Sequence, residues 1–201
     1  MNDARRTSAA AQRNESAIAD VLAEVLPAAG LVLEIASGSG EHVAAFSGRW
    51  PGLAWQPTDR DPEALASIDA WAAEAGRTNV RPALLLDVER WPSEGITGVL
   101  AVICINLVHI APWSACVALM RGVAAVLPRG APFYMYGPMK VGGEFTTESN
   151  AAFDRSLRSR DPAWGVRDLE AVEAEARSNG LLLVRTVAMP ANNFSLVFTR
   201  G

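Results

Sequence analysis

The chain has little cysteine, little histidine, no long apolar run and no surplus of positive charge. Each shortage closes off a class of protein. Two cysteines, Cys104 and Cys116, cannot build a disulfide framework. Cys104 sits in an apolar run and reads as a small buried hydrophobe. No cysteine pair has metal-ligand spacing, and His42 and His109 are far apart, so no metal site is expected. No run approaches the ~20 apolar residues of a membrane span. The opening Met1-Asn2-Asp3-Ala4-Arg5-Arg6 lacks the apolar core of a signal peptide, and a soluble cytoplasmic protein is the expectation. A formal charge of −4, with the arginines scattered, argues against nucleic acid as a partner.

What is present is an ordinary globular balance, with 50% hydrophobic and 20% charged residues among 201. That length reads as one domain over residues 1–201 with a full core. Ala17, Ile18, Val21, Leu22 and Val25 make a helical stripe within 14–26, closed by Pro27. Strands are expected at 31–35, 53–59, 80–86, 98–105, 132–136, 181–187 and 194–199. Helical segments alternate with them. Asp61 and Pro62 read as N-cap and first helical residue of one, and 113–127, 150–158 and 166–178 complete the set. The link 188–193 is too short for a helical crossover, so the final pair is antiparallel. These patterns predict an α/β fold, a doubly wound, mostly parallel seven-stranded sheet with its last strand antiparallel. The stretch 137–165 is longer than a bare connection and reads as a lid.

The most informative segment is Leu31-Val32-Leu33-Glu34-Ile35-Ala36-Ser37-Gly38-Ser39-Gly40-Glu41-His42. A buried strand breaks into a tight turn and a helix starts behind it, the geometry that receives nucleotide-like ligands at a sheet edge. A dinucleotide fingerprint would need a third glycine where Val43 stands. Glu34 would repel a pyrophosphate but suits a cationic amine. Asp59, ending the second strand, suits a ribose diol. Asp87, ending the third, suits an exocyclic amine, with the Val88 amide donating back. Taken singly, Glu34 reads equally as a loop cap, Asp59 as a helix cap and Asp87 as the start of a turn. Together, amine, diol and adenine without phosphate point to S-adenosyl-L-methionine.

The chain resembles the class I S-adenosylmethionine-dependent methyltransferases, and more narrowly the methyltransferase-like 26 family. The strings that carry the likeness include Gln12-Arg13-Asn14, the glycine segment, Trp55-Gln56-Pro57-Thr58-Asp59, and Asn106 to Trp113. Further strings are Tyr136-Gly137-Pro138, Asp161 to Asp168 and Met189 to Leu196. The resemblance implies a Rossmann-like sheet with its first strand central. It also implies cofactor contacts from Arg13, Asn14, Glu34, Ala36, Ser37, Gly38, Gly40, His42, Asp59, Arg60, Asp87, Val88 and Asn106.

At the reacting end, His109 follows the fourth strand and has an ordinary pKa near ~6.5, suited to a general base or a substrate ligand. Packing beneath the site is its other reading. Tyr136 is the second catalytic candidate. Trp113, Tyr136, Lys140, Trp164 and Asn192 join His109 as candidate substrate contacts, and Arg13 as a partner for the methionine carboxylate. Glu144, Glu148 and Asp154 are acidic positions within the lid that suit a cationic substrate and read equally as a solvated face. The expectation is methyl transfer to the O, N or S of a small molecule, by a monomer or homodimer. Methylation of a protein, or cofactor binding without turnover, are the rival readings.

Overall fold

The computed structural model describes residues 4–91 and 95–201, and in them a seven-stranded sheet separates two layers of helices. The chain runs α1 (Ala9–Leu22), β1 (Gly30–Ile35), α2 (Glu41–Arg49), β2 (Leu53–Asp59), α3 (Pro62–Glu74) and β3 (Leu84–Leu85). It continues through β4 (Val99–Ile105), α4 (Trp113–Val126), β5 (Pro132–Gly137), β6 (Met139–Val141), β7 (Glu144–Phe145) and α5 (Glu148–Arg160). It closes with β8 (Arg167–Asp168), α6 (Leu169–Ser178), β9 (Leu181–Met189) and β10 (Asn193–Arg200). The sheet order is β3-β2-β1-β4-β5-β10-β9. β10 lies antiparallel to both β5 and β9, as the short final link requires.

Alternation along the strands sorts side chains onto two apolar faces. Leu33, Val102 and Phe133 meet α4 and α6 through Cys116, Leu119 and Val172. Val32, Ile103 and Tyr134 meet the first three helices through Ile18, Val43, Phe46 and Ile68. Truncating one such residue, Leu33 for instance, costs about 2–5 kcal/mol. Among the described residues, no helix is long and apolar enough to cross a membrane.

Four boundaries differ from the sequence reading, each for a local reason. α1 begins at Ala9, because the Ser8 hydroxyl accepts from the Ala11 amide and caps it, and it ends at Leu22, four residues early. The third strand shrinks to β3. Val80 bridges Trp55, then Pro82 has no N–H to offer and the pairing resumes only at Leu84. The 137–165 insert is not a plain loop. β6 and β7 form a hairpin about Gly142 and Gly143, whose φ angles of 60° and 82° suit a two-residue turn, and β8 extends it to three strands. Finally, α6 starts at Leu169 on an Asp168 cap, because Arg167 and Asp168 are drawn into β8.

Candidate functional site

The crevice at the carboxyl ends of β1 and β4 is where the strand order reverses direction, the usual ligand position in such sheets. Two of the four described non-glycine residues with left-handed backbone lie there. Ala36 after β1 and Asn106 after β4 both sit in the left-handed region, at φ 57° and 63°. The glycines of the turn divide their duties. Gly40, at φ 92°, passes so close to α3 that a Cβ would lie 2.6 Å from the Ile68 Cα. Gly38, at φ 59°, faces open space, with nothing nearer its Cβ position than the Ala36 carbonyl at 4.0 Å. Gly40 therefore serves packing, and Gly38 is the one that leaves room for a ligand.

Asp59 holds this turn in place. Its Oδ2 accepts from the Gly38 amide at 2.9 Å and its Oδ1 from the Asp61 amide at 3.0 Å. Each oxygen keeps a further lone pair, so the carboxylate can still accept from two hydroxyls. Ser37 ties the turn to β2, its amide donating to the Thr58 carbonyl at 2.9 Å. Beside Asp59 opens a cavity of about 150 Å³, with Ile35, Leu86, Val88, Ile105 and Leu107 as apolar walls. Ala36, Gly38 and the exposed Arg60 complete its rim. That volume suits one flat ring, the remainder of a ligand lying along the crevice. Asp87 does not line it. Its Oδ1 accepts from the Glu89 amide at 3.1 Å and caps the short 3-10 turn that presents Val88 to the cavity.

Glu34 is the anomaly. It is 2% exposed, and its Oε2 is buried without a hydrogen-bond partner. Burial raises its pKa to about 7, the Ser37 hydroxyl works against that rise, and the Asp59 charge adds to it. A buried half-ionised carboxyl of this kind is complementary to a cation.

His109 is placed otherwise than a base requires. It is 1% exposed, lines no part of the cavity, and neither ring nitrogen has a partner. Burial, then the Arg167 charge, depress its pKa to about 3, with Gly165 opposing, so the ring is neutral. It fills the space a side chain at residue 137 would take, since a Cβ on Gly137 would stand 2.3 Å from the His109 Nε2. Sequence reasoning missed Arg167. Its guanidinium donates to the carbonyls of Val108 at 2.8 Å, Ala111 at 2.6 Å and Ala163 at 2.9 Å, clamping the loop after β4 to the insert. A single arginine with no periodic context carries no signal of that role.

A third group gathers on the face beneath α1. The His42 Nε2 lies 2.8 Å from the Asn14 Oδ1, and burial lowers that histidine to about 4, with Glu41 opposing. Asn14, Asn193 and the Arg13 charge each favour the ionised form of the Tyr136 phenol. Burial raises Tyr136 in spite of all three. Asn193 was not among the expected residues. Its neighbour Asn192 is tied instead to α5, its carbonyl accepting from the Asn150 side chain at 2.9 Å. Glu41, also missed, secures α1 to the turn, accepting from the Ser8 amide at 2.6 Å and from Gln12 at 2.8 Å.

The other candidates lie apart from the cavity. Lys140 sits 5.3 Å over the Phe145 ring, and Arg167 lies 5.9 Å from the Trp113 ring. The Trp164 amide closes a turn on the Asp161 carbonyl. Asp154 is committed to the Val166 amide and to Arg158, each at 2.8 Å, and Glu148 to Arg155. Glu144 is exposed. Among the described residues, no three His, Cys, Asp or Glu are grouped to hold a metal ion.

Sheet order, antiparallel β10 and the strand-end turn together make the Rossmann-like methyltransferase fold, and solved structures agree. Mitomycin 7-O-methyltransferase MmcR superposes with a TM-score of 0.79 at 18% identity, over 94% of this chain and 54% of that one. An O-methyltransferase family 2 protein from Planctomyces limnophilus, in complex with apigenin, gives 0.77 at 19%, over 100% and 63%. PigF, solved with SAH, gives 0.72 at 18%, over 84% and 50%. The chain thus spans only about half to two thirds of these proteins' length. It belongs to the family DUF938, a protein family of unknown function, whose model matches residues 5–200. That match does not name the methyltransferase-like 26 family, which stays a resemblance.

Proposed function

We propose that this protein binds S-adenosylmethionine across the ends of β2, β1 and β4 and passes its methyl group to a small-molecule acceptor. The observation that carries the reading is Glu34, a buried carboxyl with an orphaned oxygen directly before the turn that Gly38 leaves open. A ligand with a cationic amine satisfies that oxygen, and a dinucleotide's phosphates would not. Asp59 receives the ribose hydroxyls on its two free lone pairs. The purine enters the apolar cavity between Leu86, Val88 and Ile105. Asp87 contributes by capping the turn that aims Val88. The small-molecule O-methyltransferases of this fold support the same reading.

When bound, S-adenosylmethionine supplies a methyl carbon on a sulfonium, which the acceptor's lone pair takes while the sulfur keeps the electrons of the broken bond. The chain's part is to hold, orient and exclude water. Glu34 fixes the amine, and the strained Ala36 and Asn106 shape the two walls of the crevice. His109, enclosed and with its pKa lowered to about 3, supports Gly137 from below and is too weak and too buried a base to take a proton from the acceptor.

Calorimetric titration with S-adenosylhomocysteine and with NADH tests the reading. Binding of the former at micromolar concentration and no heat from the latter is expected. A folded protein that binds NADH, or that gives no heat with either S-adenosylmethionine or its homocysteine product, overturns it.

A further inference from the structure

Residues 5–8 precede α1 and lie over α3, where they are held along their length. The Trp71 Nε1 donates to the Arg6 carbonyl at 2.8 Å, and the Arg5 guanidinium stands 5.1 Å over the Trp71 ring and 3.4 Å from Glu74. The Arg6 guanidinium pairs with Asp61 at 2.6 Å and with Glu63. Exposed ion pairs of this kind are each worth little. The backbone of the same segment reaches further in. The Arg6 amide donates to the Ser67 hydroxyl at 2.8 Å, and that fully buried hydroxyl donates in turn to the Ser39 carbonyl at 2.6 Å. Two residues on, the Ser8 amide donates to the Glu41 Oε2 at 2.6 Å, and the Ser39 hydroxyl donates to the same oxygen at 2.8 Å. Both polar groups of the Ser39 side chain and carbonyl are therefore gripped by residues that also hold amides of this segment. A third connection runs from Arg6 to Asp61, whose own amide donates to the Asp59 Oδ1 at 3.0 Å.

We infer that residues 5–8 form a strap that presets the Gly38-Ser39-Gly40 turn for S-adenosylmethionine, with Arg6, Ser67 and Glu41 as positioning residues acting through Ser39 and Asp59. The inference rests on the methyltransferase reading and extends the site to a segment that precedes the first helix. The turn needs bracing because a glycine flanks Ser39 on each side, and Gly38 has open space beside it. Glycine has the most backbone freedom to lose, and a ligand that had to order the turn itself would bind more weakly by that ordering free energy. Plain anchoring of the segment is the rival role. It would add stability and leave the affinity of the folded protein unchanged.

The test compares wild type with Ser67→Ala, which deletes the shared hydroxyl, and with Arg6→Ala, at an exposed position that does not endanger folding. Arg49→Ala is the control, since it breaks a pair with Glu15 at 3.3 Å that ties α2 to α1 without engaging the turn. Calorimetric titration with S-adenosylhomocysteine, where each variant is fully folded, reads affinity. Amide hydrogen exchange without ligand reads the turn itself, through the Gly38 amide on Asp59 and the Gly40 amide on the Ser37 carbonyl at 3.1 Å. Ser67→Ala should weaken S-adenosylhomocysteine about tenfold, the loss of a buried hydrogen bond, and Arg6→Ala about threefold. Both should speed exchange at Gly38 and Gly40 while the amides of β4 keep their protection, and Arg49→Ala should change neither reading. Unchanged affinity or unchanged turn exchange in Arg6→Ala overturns the inference, even where the variants melt at a lower temperature. So does an equal loss in Arg49→Ala, which would trace the effect to the seating of α1 as a whole. If Ser67→Ala does not fold, Arg6→Ala decides alone. Wild type that fails to bind S-adenosylhomocysteine sinks the methyltransferase reading and the cofactor named here, a result set apart by exchange that still quickens in the variants.

Discussion

Glu34→Gln isolates the ionisation of the buried carboxyl near the end of β1. The Glu34 carboxyl has its pKa raised from 4.5 to about 7 on folding, because burial penalises the charged form. Between those values the native state holds a proton that the unfolded state has lost, so stability falls as pH rises through the window and levels off above it. At 1.36 kcal/mol per pKa unit, a rise of about two and a half units amounts to about 3 kcal/mol by pH 7.5. Gln keeps the shape and cannot ionise. Urea melts of both proteins at pH 4.5, 6 and 7.5 should show wild type losing about 3 kcal/mol relative to Glu34→Gln across the series. The comparison is between variants because the buried histidines act in the opposite direction over an overlapping range. A cation beside Glu34 also restores its charge. Binding of S-adenosylhomocysteine near pH 6.5 should therefore release a proton, visible as a buffer-dependent calorimetric enthalpy, and the variant should release none. Parallel stability curves for the two proteins would refute the assignment of that buried charge.

Other substitutions separate roles that the crevice combines. Asp59→Ala removes the acceptor for two backbone amides as well as for the ribose, so affinity for S-adenosylhomocysteine should fall at least about tenfold. Unchanged calorimetric affinity would show that the carboxylate only braces the turn. Gly137→Ala places a methyl against the His109 ring and should cost about 1–3 kcal/mol. Combined with His109→Ala, that cost should shrink, and strictly additive denaturation energies would mean the two do not touch. His42 and His109 are held neutral, with pKa values near 4 and 3, so stability should fall as pH drops below about 6.5. His109→Gln should flatten that acid limb in urea melts, and an unchanged limb would remove His109 as its source.

Much of the architecture was legible because it depends on short-range pattern. Apolar runs such as Val99–Ile105 become buried parallel strands. Asp61-Pro62 starts a helix by capping chemistry, and a link of a few residues leaves β10 no choice but to reverse. Local chemistry was also what the sequence reading sometimes overlooked. The Ser8 cap, the Pro82 interruption and the Gly142-Gly143 hairpin each turn on one or two residues.

The identities of the site's turn and strand-end acids were likewise written in the chain, since a glycine at φ 59° and a carboxyl after a strand need only local context. What those acids do was settled by tertiary structure. Asp87 spends one oxygen on a backbone cap, Asp59 shares both of its own, and Glu34 alone keeps a buried oxygen unmatched. His109 looked available in sequence and proved enclosed, because Gly137 across the sheet leaves room only for its ring. Burial, charge and hydrogen-bond supply at each of these positions depend on contacts distant in the chain, as where β10 inserts between β5 and β9 and sets the Ser195 hydroxyl 2.6 Å from that of Tyr134.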